Sequence, residues 1–436
     1  MIQTILADGK AEYEYLRALK ARQQETNAEV TRAVQAILDD VRREGDGAVM
    51  RYSARFDHME GPIRVIEAQE IAAAKARIDG DLLAAMERAA VNIRRFHQQQ
   101  VQESYVDFRE DGSFMGQRVR PLARVGLYVP GGTAAYPSSV LMNAIPAKIA
   151  GVPELVMVTP PNAEGKPRDV ILAAAAVAGV DRIYMVGGAQ AVAALAYGTE
   201  TIPQVDKIVG PGNIFVATAK RLLYGVVDID MIAGPSEILI VADENADPRF
   251  IAADLMSQCE HDVLAGGVLL TDSAALAEQV KAEITRQLAD LSRAEIIRQS
   301  MDDYGVIVVF DDVAACVDYA NAVAPEHLEL AVADPASWLG RVENAGSVFL
   351  GDWTPEPVGD YYAGANHVLP TSGTARFFSP LGVDSFYKRM GFTSYSKAAL
   401  MAGADDIIRF AEAEGLTAHA NAVKVRKTVE QGGKEQ

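Results

Sequence analysis

From residue 123 to residue 243 the chain repeats one pattern: a short apolar run, a turn, then a stretch with helical character. The apolar runs are ARVGLYVPGG (123–132), ELVMVTPP (154–161), DRIYMVGGAQ (181–190), VDKIVGPGN (205–213) and MIAGPSEILIVAD (231–243). Between them lie SVLMNAIPAKIAGV, helical despite Pro146, DVILAAAAVAGV, AVAALAYG and IFVATAKRLLYG. Strands that are apolar throughout need cover on both faces, and helices alternating with them supply it in a parallel sheet. A second alternation follows in LAGGVLLTD, ALAEQVKAEITRQLADL, YGVIVVFD, a helix carrying Cys316, HLELAV and AGSVFLGD. The expected fold is therefore α/β with two parallel-sheet domains, which suits 436 residues, a length that exceeds one ordinary core.

The flanks read differently. The first hundred residues read as helix, with Val30, Val34, Ile37 and Val41 at helical spacing. His97 closes a polar helical run and is expected at the surface; His58 sits in a turn. Residues 353–381 carry many Pro and Gly and little periodicity, and a loop that long in a compact protein is more often functional than idle. A helical tail follows from about residue 381.

A net charge of −18 argues against a nucleic-acid partner, because a phosphate backbone needs a basic face. It mildly favours cationic small substrates. Two cysteines, Cys259 and Cys316, make neither a disulfide framework nor a thiolate zinc site. The N-terminus lacks the basic start and apolar centre of a signal peptide, and no apolar run approaches the roughly 20 residues that span a bilayer. A soluble, cytoplasmic protein is expected.

Several constellations could carry chemistry. Glycine at a strand's carboxyl end lets a helix N-terminus approach a phosphate. YVPGGTAAYPSS, MVGGAQAVAALAYG and IVGPGNIFVATAK are such places, yet Phe215 stands where a dinucleotide fingerprint needs its third glycine. They either bind a nucleotide or merely turn tightly. Gln258 and His261 in LMSQCEHDV share a face if the helix runs through both. There is no HExxH or CxxC, so any metal site must be assembled from distant residues among His261, His327, His367, His419 and carboxylates such as Asp360. Glu326 and His327 in APEHLELAV are either a general acid–base pair at the entry to a strand or a surface pair. Glu414 and His419 lie about 140° apart on an unbroken helix, and Gly415 offers a break with Thr417 as a fresh cap. Such a pair on a terminal segment fits a tail docked into a partner subunit, or a frayed end. Cys259 lies off the Gln258–His261 line and beside Glu260, a setting that raises a thiol pKa and favours an inert, buried cysteine.

SQCEHD, APEHLEL, AGSVFLGDWTPEPVGDYYAGANHVLPTSGTARF and EGLTAHANAV, with GPGNIFVATAK and AGPSEILIVAD, closely resemble the histidinol dehydrogenase family, over essentially the whole chain. The resemblance implies a homodimeric enzyme that oxidises L-histidinol to L-histidine through L-histidinaldehyde, with NAD and one zinc ion per subunit, in histidine biosynthesis. It implies two incomplete Rossmann-like domains: an N-terminal helical arm (1–22), a discontinuous α/β domain (23–127 and 236–380), an inserted α/β domain (128–235), and a C-terminal dimerisation tail (381–436) crossing to the partner. The family's zinc ligands fall on Gln258, His261, Asp360 and His419, the last from the partner chain, and its catalytic pair on Glu326 and His327. Its substrate contacts fall on Ser236, Gln258, His261, His327, Asp360, Glu414 and His419, and its NAD contacts on Tyr128, Gln190 and Asn213. Position 259 commonly carries Ala in the family motif, so a thiol route is not implied, and His367 matches a motif without an assigned role. The same fold serves dehydrogenases of other small diols, and the same ligands would suit a zinc hydrolase or a silent binding protein. Glu326, His327, Glu414 and His419 together favour the imidazole and ammonium substrate.

Overall fold

The computed structural model describes residues 2–24, 28–131, 135–162, 164–232 and 234–432. The chain forms two compact units, Met1–Val101 with Leu122–Phe386, and Gln102–Pro121 with Tyr387–Gln436.

The larger unit holds two six-stranded sheets. The first runs, in spatial order, Gln3–Leu6, Val306–Val309, Gly266–Thr271, Glu237–Ala242, His327–Ala331 and Ser347–Leu350, every pair parallel. The second runs Val65–Glu67, Arg182–Met185, Glu154–Thr159, Arg124–Tyr128, Lys207–Val209 and Asp228–Ile229, parallel except at its first strand. The two sheets follow the two alternations of apolar runs, except that Glu237–Ala242 of MIAGPSEILIVAD joins the strands of the second alternation. Their central strands are buried on both faces, as Leu155–Val158 and Ile238–Ala242 show.

The first hundred residues are less uniform than their periodicity suggests. Gln3–Leu6 pairs with Val306–Val309, and Val65–Glu67 lies antiparallel to Arg182–Met185. Strands of three or four residues are too short to show a period of two. The grouping of 23–127 with 236–380 also differs from what forms. Val34, Ile37, Leu38 and Val41 of the helix Ala28–Glu44 pack with Ala191, Val192 and Leu195 over the second sheet, to which Arg124–Tyr128 belongs as well. An amphipathic stripe shows that a helix docks, not on which sheet. His97 is fully buried rather than exposed. Its Nδ1–H donates to the Ile93 carbonyl (2.9 Å), and Asn366 Nδ2 donates to its Nε2 (3.3 Å).

The smaller unit is an antiparallel sheet of Tyr387–Ser394, Phe114–Pro121 and Tyr105–Phe108 with two helices, Lys397–Ala413 and Thr417–Gly432. The tail thus opens with a strand, YKRMGFTS, whose mixed polarity gives no alternation to read. Gly415 breaks the helices at φ 73°, and the second starts at Thr417.

Candidate active site

The chemistry-bearing residues of the first sheet gather at its amino edge. His327 opens the strand His327–Ala331 and pairs with Ile238, while Glu326 precedes it on the turn. Both are buried. The Glu237 carbonyl, on the neighbouring strand, lies 3.0 Å from His327 Nδ1. A carbonyl can only accept, so Nδ1 carries the proton and Nε2 is left as a bare lone pair. Burial lowers the His327 pKa to about 4, against the opposing pull of Asp360, so the ring is neutral at physiological pH. Glu326 Oε2 accepts the Glu237 amide (3.0 Å) and stands 3.7 Å from His327 Nδ1. Burial raises the Glu326 carboxyl well above the usual range. The adjacent pair reaches one site because Glu326 stands before the strand, where strict alternation of faces has not begun.

Gln258 arrives at the same edge from the helix Pro248–Cys259, which runs back antiparallel to the strands. The helix ends before His261, so the two residues do not share a helical face; His261 N donates to the Gln258 carbonyl (3.1 Å) in a closing turn. Asp360 comes from the π-helical turn Gly359–Ala363 of the irregular 353–381 segment. His367 Nδ1–H donates to the Asp360 carbonyl (3.1 Å) and lies 3.6 Å from its carboxylate, so it braces that turn. Glu356, on the same segment, stands 3.6 Å from His327 Nε2. Burial, then Asp360, push the Glu356 carboxyl up to about 10.

His327, Glu356 and Asp360 each offer a ligand atom, and these lie within 4.8 Å of one another. Both amide atoms of the buried Gln258, Nε2 of His327 and Oε1 of Glu356 have no hydrogen-bond partner. Leaving several such groups unpaired and buried is costly; a cation would satisfy the oxygen acceptors among them, Gln258 Oε1 and Glu356 Oε1, and a substrate donor would satisfy the His327 lone pair. The cluster of His327, Glu356 and Asp360, with Gln258 beside it, could hold a metal ion. Ser236 precedes the strand Glu237–Ala242 at the same edge and is half-buried.

Beneath these groups, Asp254, one turn before Gln258, faces Glu329, two residues beyond His327; burial raises both carboxyls, that of Asp254 to about 6. Glu329 Oε1 also accepts the Glu356 amide (2.8 Å), tying helix, strand and loop together. Cys259 points into the apolar cluster with Leu255 and Met256. Burial pushes its thiol up to about 11.

A second constellation lies at the opposite, carboxyl edge of the second sheet. Tyr128 ends its strand, buried, and its hydroxyl accepts the Gly188 amide (3.0 Å). Gln190 is in the first turn of the helix Gly188–Tyr197, and its Oε1 is buried and unpartnered. Asn213 caps the helix Ile214–Leu223, its Oδ1 accepting the amides of Phe215 (3.1 Å) and Val216 (3.2 Å). Gly210, at φ 115°, lies so close to Tyr128 that an added Cβ would sit 2.1 Å from the Tyr128 carbonyl oxygen. A buried ion pair holds this glycine: Asp230 accepts its amide (2.7 Å), and Lys220, paired with Asp230, donates to its carbonyl (2.9 Å). Gly132, on the third loop, lies outside the described residues.

Glu414 and His419 belong to the smaller unit, where Glu414 ends the helix Lys397–Ala413, His419 lies in the first turn of the next, and both are exposed. Sequence reasoning missed Glu356, Glu237, Asp254 and Glu329. Glu356 left one signal, a carboxylate held between two prolines four residues before Asp360. The others look like any surface acid until the fold buries them.

Among the described residues, no helix is long and apolar enough to cross a membrane. A family model described as histidinol dehydrogenase matches residues 20–427. The chain is 53% identical over 423 residues to the histidinol dehydrogenase of Clostridium acetobutylicum, covering 97% of this chain and 98% of that one. It is 55% identical over 400 residues to that of Streptococcus mutans, covering 92% and 93%. A crystal structure of histidinol dehydrogenase from Elizabethkingia anophelis superposes with a TM-score of 0.92 at 37% identity, covering 99% of each chain. The chain belongs to the histidinol dehydrogenase family.

Proposed function

We propose that this chain is a zinc- and NAD-dependent dehydrogenase that oxidises L-histidinol to L-histidine through L-histidinaldehyde, the closing steps of histidine biosynthesis, in the cytoplasm. One observation carries the reading: a buried, neutral imidazole, fixed through Nδ1 and free at Nε2, beside a buried carboxyl and a set of unpaired metal-binding groups. Bound zinc would fix the substrate's imidazole and amine nitrogens, and bound NAD would accept a hydride in each of the two oxidations. Gln258, His261 and Asp360, with His419 of the partner subunit, would hold the metal, one per subunit of a homodimer. Ser236 and Glu414 would complete the substrate contacts, Glu414 meeting the ammonium group.

His327 Nε2 takes the alcohol proton as the carbinol carbon gives up its hydride, leaving the aldehyde. Glu326 then takes a proton from water as that water adds to the aldehyde carbon. Burial favours this role, because a carboxylate stripped of solvent binds a proton more strongly. His327 returns its proton to the former carbonyl oxygen, which completes the diol and frees Nε2; the diol then loses a hydroxyl proton to His327 and its hydride to the second NAD, and L-histidine results. Tyr128, Gln190 and Asn213 would contact the cofactor. The negative net charge suits a cationic substrate.

Absorbance of the reduced cofactor tests the reading. Two NADH formed per L-histidinol, with L-histidine as product, is the expected result. One NADH with accumulated aldehyde, turnover of other small diols in preference, or hydrolysis without NADH would overturn it.

A further inference from the structure

Asp57 lies outside every role assigned so far, yet it stands at the candidate cofactor loops. It caps the end of the helix Asp46–Phe56, and its carboxylate faces the start of the helix Gly188–Tyr197. Oδ2 accepts the Gly187 amide and Gln190 Nε2, both at 3.4 Å. These contacts are long for hydrogen bonds to an ionised carboxylate, which settle below 3 Å when saturated. Burial opposes its charge and raises its pKa, outweighing the Gly187 amide, Ser53 and Gln190, which together do not replace the lost water. Gln190 gives its amide hydrogens toward Asp57, so the atom left over is its acceptor, Oε1, which is buried and unpartnered. A phosphate at this helix N-terminus would meet the Asp57 carboxylate already there, and at the helix Ile214–Leu223 the first free amides are taken by Asn213.

We infer that Asp57 and Gln190 Oε1 form an acceptor pair that binds hydrogen-bond donors of the dinucleotide, a ribose hydroxyl or the carboxamide NH₂, and that Asp57 selects against an anionic or donor-free group in that place. Asp57 is thus a positioning and specificity residue, acting directly on the ligand and through the orientation of Gln190. The inference rests on the reading of these loops as the cofactor site.

The test uses the full-length, zinc-loaded enzyme with saturating L-histidinol and three oxidants: NAD, NADP, and 3-acetylpyridine adenine dinucleotide, which lacks the carboxamide NH₂. Asp57→Asn keeps the shape and removes the charge. It should raise KM for NAD about tenfold while kcat changes less than threefold. It should also shrink the preference for NAD over one of the other two at least tenfold. A collapsed preference over NADP identifies a ribose hydroxyl as the donor, and a collapsed preference over the acetylpyridine analogue identifies the carboxamide. Unchanged preferences and unchanged KM in a folded protein overturn the inference. Asp57→Ser repeats the measurement should the Asn variant fold poorly, since it too removes the charge. Gln190→Ala separates the two levels of the argument. If it raises KM for NAD while both Asp57 variants do nothing, only the inference fails. If it also leaves KM unchanged, the cofactor reading of these loops fails.

Discussion

Replacing His327 by Asn is the most decisive perturbation the site offers. The Asn side chain can still donate to the Glu237 carbonyl, which His327 Nδ1 meets at 3.0 Å, but it has nothing in place of Nε2. The fold contact is thus preserved and the base removed. Loss of a positioned general base costs roughly 10²–10⁴ in rate, or about 3–5 kcal/mol of transition-state stabilisation. Because His327 serves both oxidations, kcat should fall by at least 10² with either L-histidinol or L-histidinaldehyde as substrate. The wild-type pH profile should carry its signature. Burial lowers the ring's pKa to about 4, so in the first oxidation, which does not use Glu326, the free base persists from neutral pH downward and is lost as the pH falls through that value. Zinc content separates this role from the competing one, in which His327, Glu356 and Asp360, whose ligand atoms lie within 4.8 Å, are themselves the metal's ligands. Stopped-flow turnover, metal analysis and a urea midpoint on the same preparation are required. A folded variant that keeps its zinc and loses turnover supports the base. A variant that loses zinc, or retains more than a tenth of wild-type kcat, refutes the reasoning.

Three further outcomes are expected. His419→Ala should strip zinc from both subunits of a dimer, and mixing it with His327→Asn should restore part of the activity through sites that draw intact halves from each chain; full activity in a monomer would remove the shared site. Cys259→Ala should retain most of the turnover and cost about 1 kcal/mol of stability, the transfer energy of one small buried group, since burial holds the thiol at about 11; near-total loss with the fold intact would overturn the water-based mechanism. Lys220→Met should destabilise by about 3 kcal/mol in urea, the low end for breaking a buried pair because Asp230 keeps two amide donors, and should weaken NAD binding through Gly210; a cost below about 1 kcal/mol would show that the clamp is dispensable.

Much of the architecture was legible because a buried parallel strand must be apolar throughout, as ELVMVT and EILIVA are. The Glu326–His327 pair was legible because two chemistry-bearing residues entering a strand are adjacent in the chain itself. Gln258 and His261 were paired on the premise of a shared helical face, which the structure does not provide, because the helix stops short of His261. What escaped was burial. Glu356, Glu329 and Asp254 are acids in a chain rich in acids, and only tertiary packing distinguishes them from solvated ones. The docking of the helix Ala28–Glu44 escaped for a related reason: its stripe of Val34, Ile37, Leu38 and Val41 fits any apolar face, and its partners Ala191, Val192 and Leu195 lie about 150 positions further along the chain.

The rule that ligands sit at the carboxyl edge of a parallel sheet picked out the three glycine-rich strand ends, on which the family resemblance puts Tyr128, Gln190 and Asn213, but it says nothing of the proposed base, and the reason is electrostatic. In a strand–helix–strand unit the helix runs back against the strands, so the carboxyl edge faces helix N-termini and the amino edge faces helix C-termini. The partial charges of those ends are opposite. The first sheet gathers its buried titratable groups at the amino edge, where the helix Pro248–Cys259 has its C-terminus and where Glu326, Glu356 and Asp360 add carboxyl groups. That edge suits a metal cation and an ammonium-bearing substrate and would repel a dinucleotide's phosphates. Under the proposed function the second sheet would keep its carboxyl edge for the cofactor, where Asn213 and Asp57 fill helix starts that phosphate would otherwise claim. On that proposal two sheets of one fold type would be used from opposite ends, and the sign of charge each ligand carries would decide which end.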